Sequence, residues 1–232
     1  MWLKKAKLTF VLVLTVGLLS VGALSAELGT KSNPIQWLFP PSTNATVIED
    51  VARDIAEDLH DMTGYYIEPH VTADYAALIE AVKAADGDTM ATPTTDQYAR
   101  LYQETDGGVH PRLAAVRYGY PYYFASVYAW RDDMSYQPTT EGALEALEGK
   151  TWIYNDVGST SGYVVPNKVF KNHGVELGGK VESGGHTASI IALLEERGDF
   201  ATAYGSPPTP PEGVDFQWEY GDDPEIWIWN HK

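Results

Sequence analysis

At Tyr154–Tyr163 a strand hands over directly to a helix, and this junction limits the chain to folds in which strands feed helices. Thr151-Trp152-Ile153-Tyr154 is a short β-like run, Asn155-Asp156-Val157-Gly158 turns the chain, and Ser159-Thr160-Ser161-Gly162 leads into a helical run from Tyr163 to Lys171. Val164, Val165, Val169 and Phe170 are the apolar residues of that run. The first N–H groups of a helix lack intrahelical acceptors, and the helix dipole adds partial positive charge there. Three hydroxyls together with those N–H groups make a neutral cradle for a small oxyanion, and Gly158 and Gly162 keep side chains out of the way. The same residues also suit a plain N-cap, in which Ser159 or Ser161 accepts from a first-turn N–H. On the residues alone both readings stay open. Pro166 fits the first turns of a helix but not its interior, so the helix start is open by a residue or more.

The rest of the chain repeats strand and helix. Ile35–Phe39 reads as a buried strand ended by Pro40-Pro41. Ser42-Thr43-Asn44 offers caps for a helix over Thr46–Met62, with Val47, Ile48, Val51, Ile55 and Leu59 as an expected buried stripe at three- and four-residue spacing. Gly64 ends it, and Tyr65–Val71 alternates like a strand. A helix over Tyr75–Ala85, a strand at Thr89–Ala91 and a helix over Thr95–Gln103 follow. This order implies a parallel, doubly wound sheet. Leu113–Tyr118 and Tyr122–Arg131 are expected strands, long enough to cross between lobes. The alternation then resumes with a helix at Glu141–Leu147, strands at Thr151–Tyr154 and Lys180–Ser183, a helix from Gly184-Gly185-His186-Thr187 to Glu196, and a strand at Phe200–Tyr204. Pro207–Pro211 is a rigid linker, and Phe216–Tyr220 and Ile226–Trp229 are the last strand candidates.

Composition removes several classes. A net charge of −16 argues against nucleic acid and anionic membrane surfaces as partners, though not against a small anion in a site with its own local field. With no cysteine there is no disulfide, thiolate metal site, cysteine nucleophile or lipid-attachment cysteine. The N-terminus reads as a signal peptide over residues 1–25. Lys4, Lys5 and Lys7 precede the apolar Leu8–Leu19, and Ala23-Leu24-Ser25 supplies small residues for cleavage. An uncleaved anchor is the alternative, and either way the protein works outside the cytoplasmic membrane.

His186 lies at a second strand-to-helix junction, after two glycines, where an imidazole can donate to an anion or simply cap. Tyr120, Tyr122 and Tyr123 lie on the expected crossover; buried tyrosines need hydroxyl partners, but packing is their commoner role. Asp222 and Asp223 face a cleft or form a solvated turn. The six histidines form no HExxH or close His-x-His set, so no metal or other cofactor is expected. There is no GxSxG elbow, which leaves a secreted hydrolase using Ser159 and His186 as the enzyme alternative.

Asp156-Val157-Gly158-Ser159-Thr160-Ser161-Gly162-Tyr163-Val164-Val165-Pro166 resembles the D-x-x-STSG-(Y/F)-x-x-P signature of the phosphonate-binding proteins of ABC importers. Gly185-His186 and then Asp199-Phe200-Ala201-Thr202-Ala203 are similar to that family's GH…(V/F)DxA order, and Ala73-Asp74-Tyr75 with Gly87-Asp88 resembles its first lobe. The resemblance implies an α/β, type II-like periplasmic-binding-protein clamshell of two lobes, each a mostly parallel sheet flanked by helices. Residues 33–125 would be lobe I, 126–222 lobe II, and 223–232 the start of a return crossing. It implies that Ser159, Thr160 and Ser161 hold the anion oxygens, that His186 donates from the facing helix start, and that Tyr75 and Tyr123 (or Tyr122, one residue away) reach the ligand. Asp223 would accept from a protonated oxygen or an amine. It also implies a non-enzymatic, monomeric protein that passes phosphate, phosphite or a phosphonate to a membrane permease. Another small anion on the same scaffold is the alternative. Two departures bear on this. Tyr204-Gly205-Ser206-Pro207 has no acid where aminophosphonate binders pair the ligand's amine, which favours a smaller ligand, and the chain stops early for the family, as a truncated sequence would.

Overall fold

In a computed structural model of the chain the described residues are 26–116, 119–130 and 140–205, together with the backbone of strands 219–220 and 227–228. The first lobe is built around β1 (Ile35–Phe39), flanked by β2 (Ile67–Val71) and β3 (Thr89–Ala91) in the order β2-β1-β3, all parallel. Helices α1 (Ala45–Thr63), α2 (Tyr75–Ala84) and α3 (Thr95–Glu104) follow the three strands in turn. Each starts where the sequence supplies a cap. Asn44 accepts from Val47 N–H, Asp74 accepts from Ala77 N–H, and Thr94 and Gln97 close a capping box. Gly64 ends α1 with φ +78°, a left-handed conformation that glycine adopts without steric cost.

Leu78, Ile79 and Leu101 of α2 and α3 form the core on one face of this sheet, with Leu38 and Ala91 packed against them. The other face departs from expectation. Val47, Val51 and Ile55 of α1 are exposed, and the buried residues are Ala52 and Ala56. On β2, Val71 N–H donates to Glu49 Oε1 at 3.3 Å. Glu49, Ala52 and Ala56 share one line of the helix at three- and four-residue spacing, and this line faces β2. The alanines then allow close approach, and the larger residues are rotated aside. They line an open apolar groove with Trp37, Phe39 and Thr92.

The second lobe contains β4 (Phe124–Ala129), β5 (Thr151–Tyr154), β6 (Gly179–Glu182) and β7 (Phe200–Gly205), in the order β4-β7-β5-β6. β5 runs parallel to β6 and β7, and β4 is antiparallel to β7. Successive residues of a strand face opposite sides. Trp152 accordingly packs with Phe170, Phe200, Leu144 and Leu147 on one face, and Ile153 with Ala192, Leu193 and Ala201 on the other. The helices of this lobe are α4 (Thr140–Glu145), α5 (Val165–Asn172) and α6 (His186–Leu194). The short strands β8 (Glu219–Tyr220) and β9 (Trp227–Ile228) pair antiparallel.

The strand expected over Leu113–Tyr118 does not form in its described part. Residues 113–116 have no regular structure and Leu113 is 95% exposed. Pro111 lies just upstream without a backbone donor, and apolar spacing alone makes no strand where no ladder partner lies alongside. The expected signal segment 1–25, the linker Pro207–Pro211, and Asp222 and Asp223 lie outside the described residues. Among the described residues no helix is long and apolar enough to cross a membrane.

Candidate functional site

The loops at the C-terminal ends of the parallel strands of the two lobes face each other and touch. His186 N–H at the start of α6 donates to Ser42 C=O at 3.1 Å, and the hydroxyls of Thr43 and Thr187 are 3.0 Å apart. Asp96 N–H at the start of α3 donates to Thr160 Oγ1 at 3.2 Å. Gly158 lies so close to Tyr75 that a Cβ there would stand 2.7 Å from the Tyr75 Cβ. Real Cβ atoms do not approach so closely, so glycine at 158 is required by the approach itself. Crevices at the C-terminal edges of parallel strands are where such sheets bind ligands.

The hydroxyl loop is ordered by its own side chains. Asp156 Oδ1 accepts from Gly158 N–H at 2.6 Å and turns the chain out of β5. Ser159 Oγ accepts from Gly162 N–H at 3.2 Å and from Asn155 Nδ2 at 2.9 Å. Ser159 C=O accepts from both Tyr163 and Val164 N–H, which widens the first turn, Thr160–Val164, into a π-helical turn. That turn delays α5, so Pro166 falls among its first residues, where a missing N–H is harmless. Ser159 is therefore an N-cap and still has a hydroxyl hydrogen to donate. Ser159 and Ser161 are buried, whereas Thr160 spends an oxygen lone pair on Asp96 of the opposite lobe.

His186 is buried, and burial holds its imidazole well below the usual histidine range, at about 4. Its Nδ1 accepts from Tyr204 N–H at 3.3 Å, which leaves the proton of the neutral ring on Nε2 as a donor. The folded-state value is depressed below the ordinary 6.5, so the unfolded chain takes up a proton first as pH falls. The His186 contribution to stability is thus complete above pH 6.5 and is lost progressively toward pH 4. Thermal unfolding followed from pH 7 to pH 4 should fall more steeply for the natural protein than for His186→Asn. Parallel curves would show that the imidazole is not held neutral.

Tyr75 opens α2, is 1% exposed, and its hydroxyl has no hydrogen-bond partner. Burial pushes its pKa up to about 12, with Asp156 and Tyr123 adding to the rise. Ser159 is near enough to pull the value back in part. Tyr123 thus lies within electrostatic reach of Tyr75, while the Tyr122 ring lies 5.3 Å from that of Tyr120 and 5.7 Å from that of Phe124. Of the residues expected in the site, Ser159, His186, Tyr75 and Tyr123 come together, Ser161 is buried on the same loop, Thr160 joins the lobes, and Asp223 falls outside the described residues. Sequence reasoning missed Asn155. It is fully buried, donates to Ser159 and lies against His186. Its signal was an amide at a strand end, four residues before a candidate cap.

Comparison with known proteins gives the family and the fold. The profile of a family described as "ABC transporter, phosphonate, periplasmic substrate-binding protein" matches residues 38–208. Among solved structures, a binding protein component of an ABC phosphonate transporter from Pseudomonas aeruginosa superposes with a TM-score of 0.59 at 21% identity, covering 74% of this chain and 57% of that one. PhnD1 from Prochlorococcus marinus, solved in complex with methylphosphonate, superposes with a TM-score of 0.60 at 17% identity, covering 73% of this chain and 62% of that one. The chain thus spans about three fifths of the length of these two structures. No curated protein matches it. With its profile match running over well more than half of its residues, the chain belongs to the phosphonate-binding periplasmic proteins of ABC transporters.

Proposed function

We propose that the protein binds a small phosphorus oxyanion (phosphate, phosphite or a small phosphonate) between its two lobes and delivers it to the membrane permease of an ABC importer. One observation carries this reading: a fully buried tyrosine hydroxyl without a partner, on one lobe, beside a capped run of hydroxyls and a neutral histidine on the other. An unpaired buried hydroxyl costs about 1–3 kcal/mol, and an oxyanion seated in the cleft relieves that cost. The donors are uncharged, so they gain strength from the exclusion of water when the lobes meet. Ser159, Thr160, Ser161 and His186 hold the oxygens in this reading, Tyr75 and Tyr123 reach the ligand from the first lobe and the crossover, and Asp223 serves as an acceptor. The segment 1–25 exports the chain. Hydrolysis is not supported, because the Asn155 amide stands between Ser159 and His186 and no serine–base pair forms.

Thermal unfolding with phosphate, phosphite, methylphosphonate, 2-aminoethylphosphonate and sulfate in turn tests the ligand class, since a ligand of the folded state raises the midpoint by mass action. A selective shift with one of the first three is expected. A larger shift with sulfate would overturn the phosphorus assignment. Tyr75→Phe should weaken binding about tenfold, the loss of one hydrogen bond to a charged group, while leaving the ligand-free protein as stable as before or slightly more so.

A further inference from the structure

We propose that Asn155 is a positioning residue of the anion site, whose bond to Ser159 Oγ fixes that hydroxyl as a donor toward the ligand; this rests on the function proposed above. Asn155 follows β5 directly and is fully buried. A serine oxygen has two lone pairs and one hydrogen. Asn155 Nδ2 at 2.9 Å and Gly162 N–H at 3.2 Å occupy both lone pairs. Only the hydrogen is left, so Ser159 has no acceptor to offer and must donate. An oxyanion requires that polarity, since a serine lone pair turned toward it would be repelled.

The contacts of the amide fix which way it points. Nδ2 lies 3.1 Å from both ring nitrogens of His186, and an atom equidistant from the two sits over the ring rather than on either lone pair. An aromatic face attracts an N–H and repels a carbonyl. On the other side Oδ1 has no conventional partner, and a Cβ built on Gly162 would lie 1.6 Å from it. The Gly162 hydrogen in that direction therefore points at Oδ1, a weak C–H···O contact. Glycine at 162 is thus demanded by the Asn155 carbonyl. A buried carbonyl without a full partner is a standing penalty that an apolar side chain would not carry. Asn155 consequently serves the site at the expense of the fold.

The test is a double-mutant cycle with Asn155→Ala and Ser159→Ala, titrated calorimetrically with methylphosphonate, phosphate and phosphite. Asn155→Ala should weaken binding about tenfold in the natural background and by less than about twofold on top of Ser159→Ala, because its effect passes through the serine. Thermal stability without ligand should change little. Equal losses in both backgrounds would overturn the proposal, as would a stability loss that accounts for the whole change in affinity. Should Asn155→Ala fail to fold, Asn155→Val fills the space and runs the same cycle. If the natural protein binds none of the three anions, the functional reading fails and takes this inference with it; binding with additive losses removes this inference alone.

Discussion

Ser159→Ala is expected to lower oxyanion affinity by about one to two orders of magnitude, the loss of a hydrogen bond to a charged group worth about 1.5–3 kcal/mol. The side chain acts twice. It accepts from Asn155 Nδ2 and Gly162 N–H, and the proposed function assigns its remaining hydrogen to the ligand. Alanine removes the donor and also strands two buried N–H groups, which should destabilise the ligand-free protein by about 1–3 kcal/mol. Calorimetric titration and chemical denaturation separate the two losses. Affinity within twofold of the natural protein would take Ser159 out of the site.

Trp152→Ala should produce the largest loss of stability, about 3–5 kcal/mol. Trp152 is fully buried, stacks on Tyr163 at 5.1 Å, meets Phe170 edge-on at 5.2 Å and donates through Nε1 to Thr202 at 2.8 Å. Alanine removes the ring from this cluster and leaves Thr202 without that donor. A thermal midpoint lowered by roughly 10 °C is the expected readout. Tyr163 comes directly after the Ser159–Gly162 run, so the tryptophan also backs the hydroxyl loop, and anion binding should weaken even where the variant remains folded. A change of under about 1 kcal/mol would show that the cluster repacks around the gap.

Much of this was legible in the sequence where local chemistry leaves little choice. Thr89–Ala91 and Thr151–Tyr154 are strands to the residue, because turn residues bracket both, and the second is a β-branched and aromatic run. Asn44, Asp74 and Thr94 each cap the helix that follows them. The hydroxyl loop was placed correctly, but its π-helical turn was not foreseen, since it depends on two N–H groups sharing Ser159 C=O. The stripe on α1 was misread because periodicity reports only that a helix is amphipathic. Which line of the helix meets β2 depends on contacts distant in sequence, such as Val71 N–H to Glu49, 22 residues apart. Asn155 escaped for a related reason: its partners Ser159 and His186 meet only once β5 and β6 lie side by side. Leu113–Tyr118 looked like a strand in the sequence, but its described residues, 113–116, have no neighbouring strand, and a strand exists only with one.

The bonds joining Ser42 to His186, Thr43 to Thr187 and Asp96 to Thr160 are made by the protein with itself. They need no cargo, so they set a resting share of molecules in which the lobes already meet. That share multiplies the apparent affinity for any ligand that prefers the joined form, because the population already competent to bind enters directly into the measured constant. Two binders with identical cradles can therefore differ widely in sensitivity through a contact such as Thr43 to Thr187, which lies outside the residues assigned to the anion. A permease that recognises only the joined lobes would also be engaged by idle binders, and each idle engagement would spend a transport cycle on nothing. On the function proposed above, the strength of these three small contacts balances capturing scarce anion against running the importer empty.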